Sequence, residues 1–203
     1  MGRMGSLDLS ELKKLQEQLN KLNEQEINDF LESCAKELAA RLLAKAIKRT
    51  PVGDYTKEME VIAKRDSKKH KKGEKYIKKV KSTEKNGGTL RRGWISKTQD
   101  ETESRNGSPQ KDEILDYVHG LKVIRSNEMI KIEIVNPVEY ASYVEFGHRQ
   151  TPGRYVPAIG KCLKSAWTPG KFMMTISEQE LSEIAPNVLK KKIEKFLGEC
   201  FNK

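Results

Sequence analysis

The clearest pattern along the chain is a stripe of apolar residues at helical spacing in its first quarter. An apolar residue recurs there every three or four positions, with charged residues between, which predicts a long amphipathic helix. The stripe consists of Ile27, Phe30, Leu31, Cys34, Leu38, Leu42 and Ala46. Asn23 is placed to cap its start, and Thr50-Pro51 ends it because the residue before a proline avoids the helical region. Four leucines on one face predict a shorter helix over residues 10–22.

A second helical stripe runs through the last part of the chain. Ser177 followed by Glu180 forms a capping box, which predicts that a helix begins there. Residues 172–176 are predicted either to add a strand or to open this helix. Apolar residues at helical spacing then continue to about Cys200. Pro186 lies inside this stretch and predicts a kink or a restart of the helix.

Alternation typical of strands marks the middle of the chain. Residues 90–98 are predicted to form one strand, and residues 116–124 and 129–135 an antiparallel hairpin. In the latter, Ile130, Ile132 and Ile134 alternate with charged residues, so this face and Trp94 are predicted to be core. The order of elements predicts an α+β fold, with a small antiparallel sheet packed by a long N-terminal helix and a C-terminal helix.

Residues 134–149 stand out between these elements. A strand-like run stops at Asn136-Pro137, and a short amphipathic helix carrying Tyr140 and Tyr143 follows. Pro137 suits the first turn of that helix, and Gly147 suits a left-handed cap at its end. The aromatic face carries no nucleophile, so we interpret it as an anchor for packing or for a partner.

Two long segments lack any period. Residues 52–88 are predicted to be an arm that is mobile when isolated, with a hairpin or short helix as the alternative. Residues 147–171 are rich in Pro and Gly, and loops of that length are usually functional or disordered. We therefore predict one domain over residues 1–203, with insertions at about 57–86 and about 147–171.

The positive charge of the protein is concentrated in the first of these segments. The formal net charge is +10, and Lys64–Lys85 alone contributes eleven basic and three acidic residues, a net of +8. The arm can bind nucleic acid phosphates, or it can be a solvated loop that docks on acidic neighbours. With Tyr76 as its one aromatic residue, it offers poor support for base stacking. The candidate contacts to DNA or an acidic partner are Lys68, Lys69, Lys71, Lys72, Lys78 and Lys79.

Residues that could carry chemistry are sparse. The three cysteines are far apart and lack CxxC spacing, which favours reduced thiols in a cytosolic setting. His70, His119 and His148 have no ligand spacing, and no phosphate-binding loop is present. We expect no signal peptide, membrane span, catalytic site, cofactor or metal, and hence no enzyme. A hydrolase built on His148 is a weak third possibility.

Three strings carry a resemblance to a known family. TPVGDYT (50–56), GGTLRRGW (87–94) and VNPVEYASYVEFGHR (135–149) resemble the HK ninety-seven gene-product-ten family of tailed-phage proteins. In that family the first two strings form one continuous run, whereas here an insertion holding the basic arm separates Gly53 from Gly87. Residues 169–197 are similar to the C-terminal helix start of members from Gram-positive phages and defective prophages.

The resemblance implies a structural virion protein at the head-proximal end of a phage tail or tail-like bacteriocin, in a tail-completion, neck or collar role. It implies a homo-oligomeric ring, with six subunits favoured, that is assembled in the bacterial cytoplasm. The ring is expected to contact tail tube, terminator or sheath proteins. It is also expected to lie near DNA without specific binding and to have no contact with a membrane. A lean core with long segments agrees with large intersubunit contacts. The interface candidates are Tyr140, Tyr143, Phe146, His148, Arg149, Arg91 and Arg92. The two arginines are expected to be exposed. The alternative function is a basic nucleic-acid-binding module using the Lys64–Lys85 arm.

Overall fold

The fold contains long helices at both ends of the described chain and short strands between them. The computed structural model describes residues 24–53, 56–81, 87–126, 129–157 and 160–201. The helices are α1 Glu24–Arg49, α2 Thr89–Gly93, α3 Gln99–Ser104, α4 Lys111–His119, α5 Ala141–Phe146 and α6 Met173–Phe201. The strands are β1 Thr56–Ile62, β2 Lys75–Lys81, β3 Val123–Ser126, β4 Met129–Ile132, β5 Gly147–Arg149, β6 Tyr155–Val156, β7 Lys161–Cys162 and β8 Trp167–Pro169. The predicted α+β class is confirmed, while the predicted helix over residues 10–22 and the Asn23 cap lie outside the described residues.

The strands form separate antiparallel pairs. Within the described residues β1 pairs with β2, β3 with β4, β5 with β8 and β6 with β7, and each pair is its own two-stranded sheet. The sequence analysis predicted that the strands share one small sheet. Each pair instead finds its hydrogen-bond partners within a hairpin or a nested hairpin, so the backbone groups are paired locally.

The described chain divides into two compact units. The first comprises residues 24–45, 114–134 and 174–201, apart from the undescribed pair 127–128. In it α1 buries Cys34 of the predicted stripe and also Leu43, which the stripe did not include; they are 7% and 0% exposed. The rings of Phe30 and Phe196 stack with their centroids 4.3 Å apart, and Lys192 pairs with Glu37 at 3.0 Å. The predicted faces of α1 and α6 therefore meet inside this unit.

The predicted strand over residues 116–124 is wrong in its first half. Helix α4 continues to His119, and β3 begins only at Val123. Ile114 and Val118 are buried four positions apart, which is the spacing of one helix face. The hairpin itself is confirmed, since Val123 lies opposite Ile132 in the β3–β4 register. Its isoleucines are half-buried rather than fully core.

Thr50 organises the second unit, which comprises the described residues of 46–113 and 135–173. Its side chain is fully buried. The hydroxyl accepts a hydrogen bond from the indole Nε1 of Trp94 at 2.7 Å and donates one to the Ala46 carbonyl at 2.6 Å. The Thr50 carbonyl accepts from the Arg91 guanidinium at 2.7 Å. The residue that ends α1 therefore also fixes the segment around α2.

The predicted strand over residues 90–98 is also wrong. Residues 89–93 form helix α2, and both Trp94 and Ile95 are buried in the turn that follows. Burial of adjacent positions does not fit a half-exposed strand, in which neighbouring side chains point to opposite faces. The side chain of Asn136 donates to the Leu90 carbonyl at 2.9 Å. A Cβ on Gly93 would collide with the Asn136 side chain, so glycine permits this close approach.

Helix α6 starts earlier than the capping box predicted. It begins at Met173, and Ser177 lies fully buried inside it instead of capping it. The chain thus enters the helix four residues before the sequence signal. Pro186 lies within the continuous helix and does not restart it.

We expect Thr50→Val to destabilise the protein by about 1–3 kcal/mol, because the buried Trp94 N–H loses its acceptor while the shape of the side chain is kept. Thr151→Val is the matched control, since Thr151 is exposed and the change there should stay within about 0.5 kcal/mol. Urea unfolding followed by tryptophan fluorescence measures both. Equal free energies of unfolding for the two variants would contradict the role given to the hydroxyl.

Candidate subunit interface and basic arm

Helix α5 presents the predicted aromatic face and is set by the turn before it. The Asn136 side chain accepts from the Val138 N–H at 3.2 Å, and Ala141 N–H donates to the Val138 carbonyl at 2.9 Å. Val138 is 3% exposed and anchors this turn. Pro137 precedes the helix by four residues, so its predicted place in the first helical turn is wrong.

The chain leaves α5 through Gly147. Its φ is +82° and its ψ is 173°, so the predicted positive φ is present but the left-handed cap conformation is not. A Cβ at this position would collide with the Thr168 backbone oxygen. The last carbonyls of α5 are satisfied by the returning chain, since the Lys171 and Phe172 N–H groups donate to Val144 and Glu145 at 2.8 and 3.0 Å.

The Pro/Gly-rich segment is folded into a ribbon, which we define as residues 147–169. Strands β5 and β8 pair at its base, and β6 and β7 pair towards its tip. Hydrogen bonds from Gln150 N–H to the Ala166 carbonyl at 3.0 Å and from Gly153 N–H to the Leu163 carbonyl at 2.8 Å continue the ladder between them. The described residues of the segment, 147–157 and 160–169, thus form a long hairpin in which backbone hydrogen bonds continue from β5–β8 to β6–β7.

Exposed aromatic side chains cover one face of α5. Tyr140, Tyr143 and Phe146 are 45%, 58% and 61% exposed, and their spacing of three places them on the same side of the helix. The edge of one ring meets the face of the other between Tyr143 and His148, with centroids 5.7 Å apart. The structure therefore brings four of the predicted interface candidates together. His148 is half-buried, and its Nδ1 has no hydrogen-bond partner among the residues that the structure describes.

The ribbon adds aromatic residues that the sequence analysis missed. Trp167 is 51% exposed and lies opposite Arg149 in the β5–β8 register. Tyr155, near the tip, is 58% exposed. Neither residue belongs to a periodic apolar pattern. Their signal is the presence of large aromatic residues in a stretch too rich in Pro and Gly to build a core.

Arg91 and Arg92 were predicted to be exposed, and this is wrong for Arg92, which is 4% exposed, while Arg91 is half-buried. The Arg92 guanidinium donates to the carbonyls of Gly87 and Thr102 at 3.0 and 3.2 Å and to the Thr89 hydroxyl at 3.2 Å. It connects the start of α2 to α3, as the planar fork of five donors allows. The guanidinium groups of both arginines therefore bind acceptors within their own chain.

The predicted arm forms an antiparallel hairpin, which was the alternative left open by its sequence, and we define the basic arm as residues 56–81. Strands β1 and β2 pair over seven residues each. Cross-strand ion pairs join Lys79 to Glu58 at 3.6 Å and Lys75 to Glu60 at 3.5 Å. Cross-strand pairing of opposite charges stabilises the ladder, which is why a charge-rich segment orders here. The candidates Lys78 and Lys79 lie on β2.

The tip of the basic arm, residues 64–74, is held by its own acids. Asp66 accepts from the Lys72 N–H at 2.7 Å, and Glu74 accepts from the Lys71 N–H at 2.8 Å. The His70 ring stacks on Tyr76 with centroids 4.1 Å apart. Because the carboxylates of Asp66 and Glu74 bind backbone N–H groups, the side chains of the tip lysines remain exposed to solvent. Four predicted contacts, Lys68, Lys69, Lys71 and Lys72, lie there and are exposed.

The base of the basic arm is narrow. A Cβ added to Gly87 would collide with the Gly53 carbonyl oxygen, so the two glycines that bracket the inserted segment are adjacent in space. The segment between them therefore leaves and rejoins the fold at one point.

No catalytic constellation is found in the described part of the chain. A search of those residues for three or more clustered His, Cys, Asp or Glu side chains finds none that could hold a metal ion. His119 is exposed, and its carbonyl accepts from Lys36 Nζ at 3.1 Å. Burial raises the pKa of the Cys34 thiol, which makes it a poor nucleophile. Of the helices described, none is both long and apolar enough to span a bilayer.

Comparison of the chain with known protein families identifies the family to which it belongs. Residues 13–147, more than half of the chain, match the family of the bacteriophage HK97 gp10 tail component. The chain belongs to this family. The predicted resemblance is therefore confirmed, and the protein is a gp10-like phage tail component. Comparisons with curated proteins and with solved structures gave no match.

The matched region of this gp10-like protein contains the hydrogen-bond network around Thr50 in the second unit. Thr50, Trp94 and Asn136 each come from one of the three strings that carried the resemblance, and hydrogen bonds connect all three strings. The match ends at Gly147. The ribbon beyond its first residue and helix α6 lie outside it, although the resemblance was expected to extend over residues 169–197.

We expect Arg92→Met to destabilise the gp10-like protein by roughly 3 kcal/mol, because several buried acceptors lose a charged donor while the aliphatic volume is kept. Arg65→Met is the matched control, since Arg65 is exposed in the arm tip and should change stability by less than about 0.5 kcal/mol. Thermal and urea unfolding give the comparison. A stability of Arg92→Met equal to that of the control would contradict the buried clamp.

We expect the tip of the basic arm to loosen in acid. The hydrogen bond from the Lys71 N–H, followed by the neighbouring His70, lowers the pKa of Glu74 below its usual 4.5. Because the pKa of Glu74 is lower in the folded state, its carboxylate stabilises the tip fully above pH 4.5. This stabilisation is lost as the pH falls through the folded-state pKa. Amide chemical shifts of residues 70–74 should follow this titration. In Glu74→Gln the transition should disappear; its persistence would assign it to another group.

Proposed function

We propose that this gp10-like protein assembles with copies of itself into a ring, with six subunits favoured, at the head-proximal end of a tail. Its role would be tail completion, or that of a neck or collar protein. Membership in a family of phage tail components supports the structural role. The arrangement of its exposed residues supports self-association.

The observation that carries the proposal is the exposure of large aromatic residues on a well-paired backbone. Three rings on α5 and two on the ribbon are each between 45% and 61% exposed. Large aromatic side chains are enriched in protein interfaces and dominate their energetics. Here they stand on a helix and a hairpin whose backbone groups are satisfied internally, so docking costs little ordering entropy.

A ring requires a second property, since each subunit must offer two different surfaces. Head-to-tail contacts that close by rotation join one surface of a subunit to another surface of its neighbour. The α5 aromatic face with the ribbon provides one such surface, and the basic arm provides another. Both features are extensions that a compact monomer would not need for its own core.

The neighbours of such a ring would be tube, terminator or sheath proteins of the same tail. Its location would be the assembled virion or a tail-like bacteriocin particle, formed in the bacterial cytoplasm, and the gene would lie in a phage or prophage cluster. No catalytic step is part of this role.

We expect the double substitution Tyr143→Ser with Phe146→Ser to abolish the ring while leaving the subunit folded, because both side chains are more than half exposed and the edge contact of Tyr143 with the His148 ring is a small loss within the subunit. Native mass spectrometry of the purified protein and negative-stain images of tails measure assembly, and circular dichroism checks the fold. Met129→Ser is the control, since Met129 is 72% exposed on β4 and should not affect assembly. A wild-type protein that stays monomeric at high concentration and is absent from particles would overturn the proposed function.

A further inference from the structure

The basic arm exposes apolar side chains on both of its faces. In the β1–β2 register Ile62 and Ile77 lie on one face, and Met59 and Tyr76 lie on the other. Ile62, Ile77 and Met59 are 55%, 68% and 53% exposed. A two-stranded hairpin is only marginally stable in water by itself. Its exposed apolar residues therefore fit a partner surface that covers the hairpin.

The arm tip carries charge that is not compensated within the described residues. Residues 64–74 contain six basic and two acidic side chains, a net charge of +4. Both acids bind backbone N–H groups. None of the six basic side chains forms an ion pair with an acid anywhere in the described chain; they are Lys64, Arg65, Lys68, Lys69, Lys71 and Lys72.

The partner that fits this arm is a protein rather than a nucleic acid. Phosphate binding favours a surface lined by basic residues and, for single strands, by stacked aromatic rings. One face of the hairpin instead carries two exposed isoleucines, and Lys75 and Lys79 on that face are paired with Glu60 and Glu58. Apolar strands with a basic tip match a protein surface that carries carboxylates.

The chain itself carries a surface of the required charge. Residues 99–113, which form α3 and the start of α4, contain five acidic and two basic side chains, a net charge of −3. Glu101 and Glu113 pair with Arg105 at 2.8 and 3.7 Å. Asp100, Glu103 and Asp112 are exposed and have no cationic partner among the described residues. The charge left over on this segment is opposite to that left over on the arm tip.

We propose that the basic arm of one copy docks on the acidic α3–α4 segment, residues 99–113, of the next copy. This inference rests on the proposed ring and names one of its contacts. The apolar faces of the hairpin would supply most of the affinity, because exposed ion pairs contribute at most about 1 kcal/mol each. The opposite charges would steer the arm and set which surface it meets. The contact is heterologous and therefore repeats around a closed ring.

Charge reversal on each side tests the contact. Lys68→Glu with Lys69→Glu reverses the arm, and Glu103→Lys with Asp112→Lys reverses the acidic segment. We expect each pair alone to raise the protein concentration needed for ring assembly at least tenfold, measured by sedimentation velocity at low salt. The control is Lys122→Glu with Lys131→Glu, which changes the net charge by the same −4 as the arm pair at exposed positions and should leave assembly unchanged.

Mixing the variants shows whether the contact lies between copies. An equimolar mixture of the arm variant and the acidic-segment variant should restore assembly, because alternating copies then present opposite charges at every interface. Combining all four substitutions in one chain should also restore it. Restoration only in the combined chain would overturn the proposal, because it indicates an arm that contacts its own subunit.

Removing the arm separates this inference from the proposed function. Deletion of residues 54–86 joins Gly53 to Gly87, which are already adjacent, so the subunit should fold and assemble at least tenfold less readily. Normal rings from the deletion or arm variant would overturn the arm contact and leave the ring intact. Failure of the wild-type protein to assemble in any form would overturn both. Loss of binding to a fluorescent DNA duplex with unchanged rings would assign the arm to nucleic acid instead.

Discussion

The buried backbone and hydroxyl of Thr50 are the constraint on which the second unit depends. This one residue ends α1, accepts from the indole of Trp94 and accepts from Arg91. A buried polar group is costly unless it is paired, and here each group pairs with a different part of the chain. Thr50 therefore fixes the end of α1 relative to the turn after α2. The hydrogen bond between Asn136 and Leu90 adds the segment that leads into α5.

The network explains how a chain with a modest hydrophobic fraction can present extended surfaces. The second unit derives its order from buried hydrogen bonds around a few apolar residues, among them Trp94 and Val138. Helix α5 is held at one end by the Asn136 turn and at the other by the returning chain at Lys171 and Phe172. Aromatic side chains on such a framework can remain in water without loss of the local fold.

The sequence predicted the elements that have a strong period and missed those set by tertiary contacts. The stripe of α1 and its end at Thr50-Pro51 are confirmed, as is a hairpin around Ile130. The segment of α2 was predicted to be a strand, whereas its conformation is set by hydrogen bonds from Trp94 to Thr50 and from Asn136 to Leu90, and both partners are distant in sequence. No local pattern records such a contact.

The same distinction applies to the candidate interface. The aromatic residues of α5 could be found because they share a helical face, and Trp167 could not because its neighbour in the fold is Arg149, eighteen positions earlier. Two adjacent arginines look like a surface charge in sequence. Only the acceptors around Arg92, which are the carbonyls of Gly87 before α2 and Thr102 in α3, show that its charge is internal.

The adjacency of Gly53 and Gly87 has a consequence for how such proteins diversify. When the two ends of a segment already touch, the entropy of closing the loop grows only slowly with its length, by about 0.6 kcal/mol per doubling. The stability of the fold then depends little on the length of the segment inserted at that point. Related phages could exchange, shorten or lose this appendage to suit a new neighbour while the subunit beneath it keeps its folding pathway and its stability.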